Sequence, residues 1–197
     1  MISKKNTENG VVIEGYQVRL RPVASTDLDT LRTWRNSEFV ARQMLSTAHI
    51  SEAQQQQWFT TIAALPSQQH WVVEYRDKPI GATNVKSADG ETAVEHARVL
   101  EPGLYIGDPA YQGNILAFAP TLALYDYCFG ELGTARFRAV VKADNLAALK
   151  YNRQLGYDVV SEGELVELHL HADAYQRQTS ALRQLLSRPR SNNKKRG

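Results

Sequence analysis

The sequence predicts an α/β fold, a mixed and partly antiparallel central sheet flanked by helices, and three observations carry that expectation. Two alternating apolar stretches, residues 70–75 and 79–86, flank the polar triplet Arg76-Asp77-Lys78 and read as an antiparallel hairpin. A strand at 136–143 runs straight into a helix and then into further strands, and a β-α-β unit of this kind crosses over right-handed to a parallel neighbour. With 197 residues, 43% of them hydrophobic and 22% charged, the chain can bury one sizeable core, and no internal repeat or linker divides it.

Taken in order, residues 1–13 read as a polar, flexible leader, residues 14–186 as a single domain and residues 187–197 as a basic, disordered tail. Residues 16–23 alternate as a first strand. Ser25-Thr26-Asp27 supplies N-cap chemistry for a helix reaching about Asn36. Ser51 and Gln54 have capping-box spacing and start a second helix that ends near Leu65, before Pro66. The hairpin follows, then a polar turn at 87–90 and a strand at Leu104-Tyr105-Ile106. Asp108-Pro109 opens a loop and a long helix runs to about Gly130; Pro120 is tolerated only in a first turn, so regular hydrogen bonding is expected to begin near 116–119. After the strand at 136–143, a helix from Asn145 stops at Gly156. Residues 159–160 and 165–170 form a closing hairpin, and 173–186 a terminal helix.

Composition removes several function classes. A formal charge of +2, with much of the excess in Arg188, Arg190, Lys194, Lys195 and Arg196, is too small for a nucleic-acid binder. Cys128 is the only cysteine and sits among aromatic residues, as a buried small hydrophobe does. The first residues lack the apolar segment of a signal peptide and no run is long enough to span a bilayer, so a cytoplasmic protein without membrane partners is expected. His169 and His171 alternate on one strand with no third ligand near in sequence, and no metal is implied.

The richest segment is the helix that Asn145 opens and Gly156-Tyr157 closes. Asn145 and Asn152 lie seven positions apart, two turns and roughly 10 Å along one face. Ala148 and Leu149 share that face, while Lys150, Arg153 and Gln154 are expected to point elsewhere. Upstream, Gln112-Gly113-Asn114-Ile115-Leu116-Ala117 lies between a strand and a long helix, where backbone N–H groups converging at a helix N-terminus suit a pyrophosphate. These two motifs and the element order over residues 16–171 resemble the GNAT superfamily of acyl-CoA-dependent N-acyltransferases.

The resemblance implies acetyl-CoA as co-substrate, a single acetyltransferase domain, and a V-shaped splay between the strands near 103–107 and 136–143 that admits the pantetheine arm. Leu104, Tyr105 and Ile106 would line the donor, with a bulge in their strand and backbone N–H groups near Tyr105 and Ile106 polarising the thioester. Gln112, Gly113, Asn114, Ile115, Leu116 and Ala117 would hold the phosphates, and Asn145 and Asn152 the arm. Ile115 stands where the family carries a glycine, so either the loop stays right-handed or Gly113 supplies the freedom. Asn152 stands where many members carry a proton-donating tyrosine; an amide can bind the sulfur but is no comparable acid, and Tyr151 is about 100° around the helix. Glu101, in a Glu-x-Gly pattern, is the candidate general base, with Glu95 and His96 in reserve.

On the acceptor side, Trp34, Arg35 and Asn36 resemble the branch that holds the nucleotide-linked amino-sugar acetyltransferases of pseudaminic acid synthesis and the ribosomal-protein amino-terminal acetyltransferases. The resemblance implies a small-molecule amine acceptor, nucleotide-linked as in the amino-sugar enzymes, with a protein amino terminus as alternative and a noncatalytic acyl-CoA-binding module as the alternative of another class. Arg35 could pair bidentately with a diphosphate or instead with Glu38. The sequence leaves monomer and homodimer open.

Overall fold

The computed structural model describes residues 2–8 and 10–188, so the expected tail lies outside the described residues from 189 onward. The expected leader is instead largely folded. β1 (Ser3–Thr7) and β2 (Gly10–Gly15) pair as an antiparallel hairpin, and β2 continues into β3 (Val18–Pro22). Tyr16 and Gln17 make the connecting two-residue turn with φ of 51° and 71°, the left-handed pair that matches strand twist in tight hairpins. Every residue of β1 is exposed, so backbone pairing rather than a buried face holds it, and it leaves no hydrophobic period to read. In β2, Val12 and Ile13 are both buried, and Trp71 Nε1 donates to Val11 O at 2.7 Å.

Three helices follow: α1 (Leu28–Asn36), α2 (Glu38–Ala41) and α3 (Glu52–Ala64). The start of α1 is tied to the sheet. The Asp27 carboxylate accepts the Ala24 N–H at 2.8 Å and both terminal nitrogens of Arg21 at 2.7 and 2.8 Å, while Arg21 Nε reaches Glu74 at 2.6 Å. The Ser51–Gln54 capping box forms in both directions, at 3.2 and 2.8 Å.

The remaining elements are β4 (Gln68–Tyr75), β5 (Lys78–Ser87), β6 (Val99–Ile106), α4 (Phe118–Gly130), β7 (Arg136–Lys142), α5 (Leu146–Leu155), β8 (Asp158–Ser161), β9 (Leu165–His171) and α6 (Ala172–Leu186). The sheet order is β1-β2-β3-β4-β5-β6-β7-β9-β8, antiparallel throughout except for β6 beside β7. α4 starts at Phe118, so Pro120 falls in its first turn where a missing N–H costs nothing. Its buried residues meet the sheet, with Tyr125 stacked on Phe137 at 4.0 Å between ring centroids. Asp126 on α4 binds Tyr16, Tyr175 at 2.8 Å and Arg183 at 3.2 Å, which joins the N-terminal hairpin and α6 to the same helix. Cys128 is fully buried, and burial raises its thiol far above the ordinary range.

Candidate active site

β6 stays paired with β5 as far as Ile106, and β7 with β9 as far as Lys142. Between β6 and β7 only Val99↔Arg136 and Leu100↔Phe137 pair, so the strands part from Glu101 and Arg138 onward. Pro102 explains where. Gly107 N–H donates to Ile80 O at 2.9 Å, and antiparallel pairing alternates, so the odd residues of β6 turn their amides to β5 and the even residues turn theirs to β7. Pro102 is even and has no N–H, which removes the next donor of the parallel ladder. The expected bulge in β6 is not there: its register against β5 is unbroken from Leu100 to Ile106. The amides facing the gap are those of Leu104 and Ile106, so Ile106 faces it as expected and Leu104 stands in place of Tyr105.

A cavity of about 1260 Å³ occupies the gap, lined by Leu104, Tyr105 and Ile106 on one side and by Ala139, Val140 and Val141 on the other. At its upper end the loop from Gln112 to Ala117 takes its shape from Gly113, whose φ is +67°. Ile115 keeps right-handed backbone in a short 3-10 turn, with its side chain exposed. Gln112 Nε2 donates to Ile106 O at 3.0 Å and Asn114 Oδ1 accepts Leu116 N–H at 2.9 Å, so both side chains hold the loop rather than point freely at a ligand.

On α5 the two asparagines divide their tasks. Asn145 Oδ1 caps the helix by accepting Ala148 N–H at 3.1 Å, and its Nδ2 reaches Gln43 O at 3.5 Å. Asn152 lines the cavity, and among the described residues nothing hydrogen-bonds its side-chain amide. Lys150 and Gln154, expected to point away, line the cavity as well. Tyr151 turns to α4: its ring stacks on Phe118 at 4.5 Å, and its hydroxyl lies 2.6 Å from Thr121 Oγ1 and 3.2 Å from Ala117 O. Burial raises this phenol well above its ordinary range, so it stays protonated.

Glu101 lies off the cavity, in a chain of ion pairs. Its carboxylate is bound by Arg138, which also pairs with Glu167 at 2.9 Å, and Glu167 in turn meets His169 at 2.8 Å. It bridges the strands at the first unpaired position and is not on the cavity wall. The reserves Glu95 and His96 pair with each other at 3.4 Å, both exposed.

The expected acceptor triplet also lies outside the wall. Trp34 packs so closely on Gly107 that a Cβ there would sit 2.1 Å from the indole. Asn36 clamps the backbone of Ile50, accepting its N–H at 2.8 Å and donating to its carbonyl at 2.9 Å. No ion pair joins Arg35 to Glu38 among the described residues; Arg35 acts electrostatically on Tyr105. The wall is made by Phe39 and Arg42 to Leu45, which the Asn36 clamp folds over the gap. Arg42 lies over the Phe39 ring at 5.2 Å. The charged residues on the cavity are Arg42, Lys150 and Asp144.

The profile of the acetyltransferase (GNAT) domain matches residues 17–158, from the β2–β3 turn to the start of β8. The chain belongs to the GNAT acetyltransferase family. It is thereby an acetyl-CoA-dependent N-acetyltransferase, and the parted strands are the family's splay. Among curated proteins none matches this acetyltransferase. Solved structures share its fold. An aminoglycoside acetyltransferase in complex with coenzyme A and kanamycin is 18% identical with a TM-score of 0.69, over 81% of this chain and 98% of that one. Spermidine N-acetyltransferase from Vibrio cholerae, with coenzyme A and spermine, is 20% identical at 0.67, over 81% and 98%. The N-acetyltransferase PseH of Campylobacter jejuni is 16% identical at 0.59, over 79% and 99%. Among the described residues of this GNAT protein, no group of three His, Cys, Asp or Glu could hold a metal ion, and no helix is long and apolar enough to cross a membrane.

Proposed function

We propose that this acetyltransferase acylates the primary amine of a small anionic acceptor, a nucleotide-linked amino sugar, from acetyl-CoA. The observation that carries the reading is the charge of the acceptor wall: Arg42, held over Phe39, is paired with no carboxylate among the described residues. A guanidinium there offers a diphosphate two parallel hydrogen bonds and repels a polycation such as kanamycin or spermine.

The donor's pyrophosphate lies against the 112–117 loop at the N-terminal end of α4, where the N–H groups of Gly113, Asn114 and Ile115 meet no acceptor among the described residues and favour an anion, those of Gln112, Leu116 and Ala117 being used within the loop. The pantetheine arm enters the splay, with the thioester oxygen accepting from the Leu104 or Ile106 N–H that β7 leaves unpaired. The amine attacks the carbonyl carbon, the C–S bond breaks, and the Asn152 amide holds the departing sulfur without protonating it. Glu101 is committed to Arg138, so the ammonium proton passes to cavity water. Tyr105, whose phenol burial keeps protonated, donates toward the acceptor with Arg35 behind it.

Two measurements test this. Coenzyme A at a hundredfold its Kd should stabilise the protein by about 2.7 kcal/mol, and Gly113→Pro, incompatible with a φ of +67°, should remove the shift; no shift at millimolar coenzyme A overturns the donor. Turnover of a UDP-linked amino sugar beside short peptides with free amino termini tests the acceptor, and efficient peptide acetylation with an inert sugar nucleotide overturns it.

A further inference from the structure

The cavity does not stop where an acetyl group would end. It continues past the level of Leu104 toward the closed end of the splay, where Thr121, Leu124 and Tyr125 of α4 and Leu182 of α6 line it. On the strands its wall reaches down to Pro102 of β6 and Ala139 of β7. From Leu104 down to Pro102 is two residues of strand, roughly 7 Å. Ala139, Leu124, Tyr125 and Leu182 make the lower chamber mainly apolar, and the Tyr125 hydroxyl is satisfied by that of Tyr157 at 2.6 Å. One wall comes from α6, which lies beyond the residues 17–158 that match the family profile.

We propose that this chamber holds an acyl chain longer than acetyl, so that the enzyme takes medium-chain acyl-CoA donors as well as, and more tightly than, acetyl-CoA. The inference rests on the donor site assigned above. The chemistry is unchanged: the amine nitrogen forms a bond to the acyl carbon, the C–S bond breaks, and the proton lost by the amine ends on water or the coenzyme A thiol. Only the chain attached to the carbonyl differs, running down the splay between α4 and β7 with its end under Leu182. Each methylene buried there strengthens binding by about fourfold, so the four that separate hexanoyl from acetyl give a gain of at least tenfold even when most are imperfectly covered.

Isothermal titration of the full chain with coenzyme A, acetyl-CoA, butyryl-CoA, hexanoyl-CoA and octanoyl-CoA tests this without knowledge of the acceptor. The expected result is a Kd that falls stepwise from acetyl to hexanoyl by tenfold or more. Leu182→Trp, which fills the chamber from the α6 side, should cancel that chain-length gain. Leu182→Gln, close in volume but polar, should reduce it and serves if the tryptophan variant does not fold. Binding of coenzyme A and acetyl-CoA with equal or weaker binding of the longer chains overturns the chamber and leaves the donor site standing. Failure of every one of these thioesters to bind overturns both.

Discussion

Removal of the Tyr151 hydroxyl separates two roles that its neighbourhood to Asn152 would otherwise confuse. The hydroxyl bridges α5 to the first turn of α4, 2.6 Å from Thr121 Oγ1 and 3.2 Å from Ala117 O, and the ring lies flat on Phe118. In Tyr151→Phe the stacking survives and the bridge is lost. Leaving a buried polar group unpaired costs about 1–3 kcal/mol. Thr121 lies four residues after Ala117, the N-cap of α4, however, and its hydroxyl can turn to that carbonyl. The net loss should therefore fall at about 1–2 kcal/mol, or a fall in Tm of roughly 3–6 °C for a chain of this size. Because the bridge steadies the end of α4 beside the phosphate loop, KM for acetyl-CoA should rise about threefold with kcat nearly unchanged, the signature of lost uniform binding. Thermal denaturation and steady-state thiol release measure both. A hundredfold fall in kcat with an unaltered Tm would refute the reasoning, since it would make Tyr151 the acid that protonates the leaving thiolate.

Burial, with Lys86 adding to it, lowers the pKa of His70 to about 4, against roughly 6.5 in the unfolded chain. The unfolded state then binds more protons between those values, so stability is full above about 6.5 and is lost as pH falls toward 4, by up to about 3 kcal/mol; urea denaturation at pH 7 and 4.5 should show a smaller difference in His70→Gln than in wild type. Asn152→Ala should lower turnover only a few-fold and Asn152→Tyr should raise it. An alanine loss near three orders of magnitude would mean a direct transition-state contact of about 4 kcal/mol. Gly107→Ala should destabilise by about 1–3 kcal/mol, because its Cβ would sit 2.1 Å from the Trp34 ring; an unchanged Tm would show that the indole has room to move.

What the sequence disclosed follows from how local each cause is. The Ser51–Gln54 box, the stop at Gly156 and the turn between β4 and β5 are each written within about four residues; the first two form as read, and the turn forms one residue shorter than expected. In that turn Arg76 and Asp77 take the positive φ, so the loop is two residues rather than the expected triplet. The N-terminal hairpin escaped because β1 buries nothing; its cause is hydrogen bonding to β2, which composition does not register. Glu101 shows a different limit. The Glu-x-Gly pattern located the right strand, yet the partner that occupies its carboxylate, Arg138, stands across a ladder that exists for only two residue pairs. The cavity wall at Arg42 is the most tertiary feature of all. Arg42 reaches the cavity because Asn36 pins Ile50, which folds the intervening loop back over the splay, so the sequence pointed to the triplet that builds the wall and not to the cation it presents. Pro102 reverses that lesson. As the middle residue of the Glu-x-Gly pattern it carries no signal of its own, and it becomes the reason for the parted strands once the alternation against β5 shows which way its missing N–H would have pointed.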